Sequence, residues 1–268
     1  NASKFTTLSS WQLQKFLHQA VWDGCEYVVL ETSSHALDQN RAWGIHYTIA
    51  VITNVTREHL DYHKTMAKYR RAKRQLFLSA EQVVINRDME EPEYFHTNSK
   101  QGVLFYSVKN QSADLFATNI ELKRDGVDFA LGNARFHLNI PGIFNAENAL
   151  AALGVARLLG IDFAIAQAAL SDIIGVPGRM ERVSNERGLD IIIDYAVTPD
   201  AFDKLYAAIF PFKLPDAKII HIFGACGERD RGKRSIMGAI ASHYADIIIL
   251  TNEDPYNEDP EQIIDDIE

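Results

Sequence analysis

Residues 47–86, YTIAVITNVTREHLDYHKTMAKYRRAKRQLFLSAEQVVIN, decide the fold class of this chain. An apolar run at 47–55 precedes a polar segment at 57–78, and a second apolar run follows at 83–86. Short continuous apolar strands on either side of a helix are typical of a parallel sheet whose two faces are covered. The stretch therefore predicts a strand, a helix and a second strand of such a sheet.

Upstream of this unit, the sequence predicts one more helix and one more strand. A serine N-cap, Ser9 or Ser10, begins a helix that ends at residue 22, since apolar side chains then recur at helical spacing. The apolar run Tyr27–Leu30 predicts a strand, and Glu31 lies at its carboxyl end.

Downstream, the pattern continues with one interruption. A strand is predicted at 103–108, and helices are predicted at 146–159 and 162–173. Between them, residues 114–140 alternate apolar and polar side chains around Asp125-Gly126. Alternation on both sides of an Asp-Gly pair indicates antiparallel strands joined by a hairpin turn.

The segment GVPGR at 175–179 breaks this order and predicts a domain boundary. We therefore expect one domain over 1–175 and a second over 176–268. The second contains predicted strands at 189–195, 218–223 and 246–251 and predicted helices at 199–209 and 234–244. The fold class is accordingly α/β: a mostly parallel sheet with an antiparallel excursion, followed by a second, unfinished α/β unit.

Composition excludes several classes of protein. Lys and Arg number 27 against 36 Asp and Glu, so the net charge of -9 argues against nonspecific binding to nucleic acid or to anionic membranes. No apolar run is long enough for a membrane span. Two distant cysteines, Cys25 and Cys226, form neither a disulfide framework nor a zinc motif, which favours a reducing, cytoplasmic location.

Polar clusters follow four predicted strands. They are Glu31–His35, Thr53–His63, the trio Asp194, Thr198 and Asp200, and Gly224–Arg234. Ligands of open α/β sheets bind at the carboxyl ends of the strands, so these clusters predict a ligand site. The alternative is that they are ordinary helix caps and turns.

Two of these clusters suggest chemistry, each with a structural alternative. Glu31, His59, Asp61 and His63 could hold a divalent cation, although side chains of these types also serve purely structural roles. The loop 227–233 nearly matches a phosphate-binding loop, but Arg234 stands where such a loop needs Ser or Thr for magnesium. Its basic side chains would contact phosphate or carboxylate, or form a solvated turn.

Taken together, seven ordered blocks of the sequence resemble the Mur ligase family. They are ETSSHALDQNR at 31–41, TNVTREHLDYHKTMAKYRRAKRQLF at 53–77, GIFNAENALAA at 142–152, VPGRMERV at 176–183, DYAVTPDAF at 194–202, FGACGERDRGKRSIMGAIA at 223–241 and EDPYNEDPEQI at 253–263. The resemblance implies most of a central P-loop-type ATPase domain and the first half of a Rossmann-like C-terminal domain. The family's Walker loop is expected upstream of residue 1, so the chain alone is expected to be inactive.

The resemblance also implies an activity. Members of the family are ATP-dependent amide ligases of peptidoglycan synthesis that use Mg²⁺. Here the implied reaction joins a third amino acid, a diamino acid, to a UDP-muramoyl dipeptide through an acyl phosphate. The implied partners are these small molecules alone, with no nucleic acid and no membrane insertion, and the protein is expected to be monomeric. The alternatives are a related ligase with another acceptor, of folylpolyglutamate or cyanophycin type, and a non-catalytic binding module.

Position by position, the resemblance implies roles for individual residues. Glu31 and His59 correspond to magnesium ligands, and Lys73 corresponds to a lysine that becomes carbamylated and then joins them. The residues implied to contact the UDP-muramoyl substrate are Thr6, Thr7, Ser33, Gln39 and Arg41. The residues implied to bind the nucleotide are Asn145, Asn148, Arg179, Asp194 and Lys233. The residues implied to select the amino acid are Arg229, Glu253, Asp254 and Tyr256.

The chain departs from the family pattern at three places. Val197 replaces a histidine near the nucleotide, and Leu8-Ser9 replaces the end of a T-T-P-[DE] motif. Where ligases for diaminopimelate carry D-N-P-R, this chain has EDPY at 253–256. Tyr lacks the cationic fork that grips a carboxylate, so we expect a preference for L-lysine or another diamine.

Overall fold

A computed structural model describes residues 7–96 and 102–268. Its helices are α1 (Ser10–Trp22), α2 (Ser34–Asp38), α3 (Leu60–His63), α4 (Met66–Leu78), α5 (Ile143–Leu158), α6 (Phe163–Ser171), α7 (Pro199–Ile209), α8 (Arg234–Tyr244) and α9 (Pro260–Asp265). Its strands are β1 (Tyr47–Ile52), β2 (Ala80–Asn86), β3 (Gly102–Ser107), β4 (Leu115–Phe116), β5 (Thr118–Leu122), β6 (Val127–Leu131), β7 (Ala134–Leu138), β8 (Glu181–Val183), β9 (Ile191–Ile193), β10 (Ile220–Phe223) and β11 (Ile247–Leu250).

The first four strands form a parallel sheet in the order β1-β2-β3-β4. Helices cover both of its faces. Successive side chains of β2 point to opposite faces, so neighbouring residues of this strand contact different helices. Val83 and Ile85 pack with Tyr69 and Phe77 of α4, whereas Val84 packs with residues of α5. This is the covered parallel sheet that residues 47–86 predict.

The antiparallel excursion is also confirmed. Strands β5, β6 and β7 form a three-stranded antiparallel sheet, and Asp125-Gly126 lies in the turn between β5 and β6. Phe129 and Phe136 stack on its inner face with ring centroids 5.1 Å apart. This sheet shares a core with α5 and α6, so the excursion belongs to the same body as the parallel sheet.

Residues 176–268, which we call the C-terminal part, contain two further sheets. Strands β8 and β9 pair antiparallel, and β10 and β11 pair parallel. Phe202 of α7, Met237 of α8 and Ile263 of α9 pack with Phe223 in one buried cluster. Residues 7–175, the N-terminal part, meet this part after the end of β1 and at the start of α5, where Asn54 donates to Asp200 at 3.1 Å and Glu147 lies 3.9 Å from Lys204.

Two predicted elements are wrong. Tyr27–Leu30 does not form a strand, and Val29 is 96% exposed, since a strand needs a neighbour to pair its backbone groups. The helix predicted over 57–78 is two helices, α3 and α4. They separate because Lys64 has a φ of 65° and Thr65 starts a new helix by accepting a hydrogen bond from the Lys68 backbone N–H. Within the described ranges, no helix is both long and apolar enough to cross a bilayer.

Candidate active site

Four of the predicted substrate contacts lie together around the short helix α2. The Thr7 hydroxyl accepts a hydrogen bond from the Ser33 backbone N–H at 3.0 Å, and Ser33 caps the helix. The Arg41 guanidinium donates to the Thr7 carbonyl at 3.1 Å and to the Gln39 side chain at 2.8 Å. The hydrogen-bonded cluster presents hydroxyl, amide and guanidinium groups, which suit a polar, anionic substrate. Thr6 lies outside the described residues.

Lys73 lies on the inner face of α4, partly buried near two carboxylates. Burial lowers the pKa of its ammonium group, and the charges of Glu58 and Glu31 oppose that shift. Its Nζ lies 5.2 Å from the centre of the Tyr69 ring. The structure thus brings Glu31 and Lys73 into one electrostatic environment, as the resemblance implies.

His59 shares this environment. It has a left-handed backbone, with a φ of 57°, at the turn before α3. Burial lowers its pKa to about 4, and the charges of Lys73 and Lys233 contribute to the shift. The imidazole is therefore neutral at pH 7 and has a lone pair available to a cation.

The four-residue metal set that includes Asp61 and His63 is wrong. In the part of the chain that the structure describes, no three His, Cys, Asp or Glu side chains form a group that could hold a metal ion. His63 is instead buried, and its Nε2 lies 3.0 Å from the Ser34 hydroxyl. Its role is to pack α3 against α2.

Four of the five predicted nucleotide contacts line one cavity. Two of them lie on α5, one precedes β8 and one follows β9. This cavity of about 540 Å³ lies between the two parts, and Asn145, Asn148, Arg179 and Asp194 are among its walls. The Arg179 guanidinium lies 5.0 Å from the Tyr195 ring centre, and Asp194 accepts a hydrogen bond from the Met180 backbone N–H at 2.8 Å. Size and lining suit a flat base with attached polar groups. Lys233, the fifth predicted contact, is not among them.

Lys233 lies instead where the two parts meet beside His59. Its Nζ donates to the Val197 carbonyl at 2.8 Å and approaches the Glu58 carboxylate at 3.3 Å. Next to it, Arg57 forms a two-point ion pair with Asp230, at 3.0 and 3.3 Å. Sequence reasoning missed Arg57, Glu58 and Asp230, because nothing in a single sequence pairs residues more than 170 positions apart.

The residues predicted to select the amino acid form a loop on the C-terminal part. The Arg229 guanidinium lies 5.7 Å from the ring centre of Tyr256, and Glu253 accepts a hydrogen bond from the Cys226 thiol. The Asp254 carbonyl accepts from the Gly227 backbone N–H at 2.9 Å. Burial lowers the pKa of His35, and the charge of Arg229 adds a smaller contribution, so the loop that carries Arg229 faces α2.

Two cations in and beside the glycine-rich loop 227–233 form ion pairs within the C-terminal part. Arg234 is 1% exposed, and its guanidinium pairs with Glu258 at 3.0 Å and Asp266 at 2.7 Å. Arg231 pairs with the same Glu258 at 3.1 Å. These cations hold the end of the chain against α8, which leaves Arg229 and Lys233 as the cations of the loop that lie toward the cleft.

Two family models match the chain. The Mur ligase middle domain matches residues 1–156, and the Mur ligase glutamate ligase domain matches residues 178–268. A UDP-N-acetylmuramoyl-L-alanyl-D-glutamate--2,6-diaminopimelate ligase of Trichormus variabilis is 39% identical over 272 residues. That match covers 98% of this chain and 54% of the relative, so the chain spans about half the length of the curated relatives it matches. A UDP-N-acetylmuramyl-tripeptide synthetase of Roseiflexus is 38% identical, covering all of this chain and 56% of its own.

Solved structures give the same picture. A UDP-N-acetylmuramoyl-L-alanyl-D-glutamate--2,6-diaminopimelate ligase superposes with a TM-score of 0.67 and 33% identity, over 100% of this chain and 56% of that one. A folylpolyglutamate synthase of Mycobacterium tuberculosis has a TM-score of 0.68 but only 18% identity, over 84% of this chain and 52% of that one, and so shares the fold alone.

Proposed function

Because the chain belongs to the Mur ligase family, we propose that the protein containing it is a tripeptide synthetase that consumes ATP. It would join a diamino acid to UDP-N-acetylmuramoyl-L-alanyl-D-glutamate. The observation that carries the proposal is the cleft between the two parts, where His59 lies near Lys73 of the N-terminal part and Lys233 of the C-terminal part, and Glu31 lies near Lys73. The named activities of the relatives support it.

The chemistry requires an anionic carboxylate to become an electrophile. ATP would phosphorylate the dipeptide's carboxylate, the amine of the incoming amino acid would attack the acyl phosphate, and phosphate would leave. Lys233 and Arg229 place positive charge at this cleft, which lowers the cost of bringing anions together. The cavity lined by Asn145 and Arg179 would bind the base and ribose of ATP.

The donor set fits Mg²⁺ in its chemistry. Glu31 offers carboxylate oxygens, and His59 offers a neutral imidazole because burial holds its pKa at about 4. Bound Mg²⁺ would screen the phosphate charge. Lys73 would join them only as a carbamate, and its lowered pKa favours the free amine that reacts with CO₂. An intact-mass gain of one carbamate that is lost in acid would test this modification.

For the acceptor, we propose L-lysine or a similar diamine. Tyr256 stands against Arg229, so the loop offers one guanidinium, enough for the α-carboxylate of an amino acid. Glu253 and Asp254 add negative charge suited to a second amino group. The relatives are named for 2,6-diaminopimelate, and a clear preference for diaminopimelate in an amino acid panel would overturn this part of the proposal.

We also propose that the boundary between the two domains lies at residues 175 and 176. The middle-domain match ends at residue 156 and the C-terminal match begins at residue 178, which supports a division in this interval.

The test is amino-acid-dependent phosphate release by the full-length protein, with ATP, Mg²⁺ and UDP-muramoyl-alanyl-glutamate. We expect release with one diamino acid, and a loss of at least about 100-fold in kcat for Lys73→Ala. Lys15→Ala, which removes an exposed lysine from α1, is the matched control. Release driven by glutamate and a folate would favour a related ligase, and silence from a folded protein would favour a non-catalytic binding module.

A further inference from the structure

The turn between β1 and α3 is held by the C-terminal part. This turn carries Arg57 and Glu58, and His59 follows directly. The Arg57 Nε and Nη2 donate to the two carboxylate oxygens of Asp230 at 3.0 and 3.3 Å. Lys233 adds a second tie to Glu58 at 3.3 Å.

Asp230 is also held by its own loop. Its side chain is 8% exposed, and one oxygen accepts the Gly232 backbone N–H at 3.0 Å. A Cβ at residue 232 would lie 2.3 Å from the Arg57 Nη2, so only glycine lets the guanidinium approach. Charge-assisted two-point pairs also fix the orientation of both partners. The C-terminal part therefore presents a rigid acceptor rather than a flexible surface carboxylate.

The turn needs such support because its own backbone is strained. His59 and Lys64, at the two ends of α3, both have positive φ, which costs free energy in residues other than glycine. The helix between them is only Leu60–His63. A helix this short gains little stability by itself.

We propose that Asp230 is a positioning residue: through Arg57 it fixes the turn that holds Glu58 and His59 beside Lys73. Docking of the C-terminal part thereby sets the position of the imidazole that faces the cleft. The consequence for turnover rests on the proposed ligase function, whereas the coupling between the two parts does not.

Hydrogen exchange of the full-length protein tests the coupling directly. The amides of Tyr62 and His63 donate to the His59 carbonyl, so their protection reports the position of that residue. Asp230→Asn should lower this protection at least about tenfold, as expected when a charged hydrogen bond is weakened. Arg57→Gln should do the same from the other partner. Protection in β2 should not change.

Asp190→Asn is the matched control, because Asp190 also joins the two parts, through Arg124 at 3.0 Å, but does not contact the turn that carries Arg57. Arg57→Lys should restore part of the protection lost in Arg57→Gln. Unchanged protection in Asp230→Asn, or equal loss in Asp190→Asn, would overturn the proposal.

Kinetics separates this proposal from the proposed function. In an active enzyme, Asp230→Asn should lower kcat at least tenfold while the KM for ATP changes less than twofold. Equal losses in kcat and ATP affinity would contradict a positioning role. A wild-type protein that releases no phosphate would overturn the ligase assignment, and the exchange experiment would still decide the role of Asp230.

Discussion

The two parallel sheets described in this chain are both built from short apolar strands, but they differ in how far those strands are buried. Val83, Val84 and Ile85 of β2 are completely buried, whereas Ile222 of β10 is 61% exposed and Ile249 of β11 is 47% exposed. In the N-terminal part, α4 and α5 cover both faces. In the C-terminal part, the described helices cover one face. An apolar β-branched run thus predicts a strand, but what covers that strand is decided elsewhere in the chain.

The difference extends to what holds each part together. Two large apolar clusters stabilise the N-terminal part, and the C-terminal part has one small cluster. Beside that cluster lies the buried Arg234 with Glu258 and Asp266. We infer that ion pairing carries more of the stability in the C-terminal part than in the N-terminal part.

The largest expected effect tests that inference. Arg234→Ala should lower the free energy of unfolding of the C-terminal part by about 3–5 kcal/mol, because it removes a buried guanidinium that bonds Glu258, Asp266 and the Cys226 carbonyl together. Arg231→Ala removes an exposed partner of the same Glu258 and should cost less than about 1 kcal/mol. Urea denaturation followed by exchange in α8 measures both. Equal costs would show that the contribution of Arg234 does not come from its burial.

A matched pair of apolar truncations compares the two sheets. Ile85→Ala should cost about 2–5 kcal/mol, since it opens a cavity in a covered sheet. Ile222→Ala should change the free energy of unfolding by no more than about 0.5 kcal/mol, because the side chain already meets solvent. Chemical denaturation of each variant gives both numbers. A large cost at Ile222 would mean that a further segment or partner covers this face.

Substitutions at two helical glycines compare how tightly α8 and α5 pack against their neighbours. A Cβ at Gly238 would lie 1.9 Å from the Ile267 carbonyl oxygen, and one at Gly154 would lie 2.7 Å from a Val84 methyl group. Gly238→Ala should destabilise by about 1–3 kcal/mol, because a backbone atom must move. Gly154→Ala should cost less, since the overlap is smaller and alanine improves helix propensity by about 1 kcal/mol. Thermal unfolding of the two variants ranks them, and the reverse order would contradict this account.

More of the fold than of the candidate site could be predicted from the sequence. The strand–helix–strand unit and the Asp125-Gly126 hairpin were predictable because their signals are local. Tyr27–Leu30 was predicted as a strand because its composition fits one, but pairing depends on a neighbour that composition does not reveal. The break at Lys64 was missed because Lys rarely adopts a positive φ.

Within the site, the resemblance identified candidate residues, and the structure showed which other residues they contact. The placement of Asn145 and Asp194 along one cavity follows from the motif order. The pairing of Arg57 with Asp230 does not, because it joins two parts through a contact with no local signal. Lys233 shows the same limit: its loop suggested phosphate, yet its ammonium faces Glu58 and a backbone carbonyl.

The smallest expected effect is a difference in acid sensitivity. In the N-terminal part, burial lowers the pKa of His35 and His59 to about 4, below the ordinary value of 6.5. The unfolded chain therefore binds more protons between these values, and the stability of this part should fall as pH drops from 6.5 to 4. In the C-terminal part, hydrogen bonds from Arg234 lower the pKa of Glu258 and Asp266. That stabilisation is intact above the ordinary carboxyl pKa values and is lost only below them.

Acidification from pH 7 to pH 5 should accordingly reduce protection in α4 more than in α8, once intrinsic exchange rates are corrected. Burial lowers the pKa of three histidines in the N-terminal part, His35, His59 and His63, but only of His221 in the C-terminal part. His35→Asn should remove part of the loss, because it deletes one of the three histidines of the N-terminal part whose pKa burial lowers. Earlier opening of α8 would reverse the comparison. It would mean that the ion pairs around Arg234 are weaker than their burial implies, and that the apolar core of the N-terminal part outweighs the cost of keeping its histidines neutral.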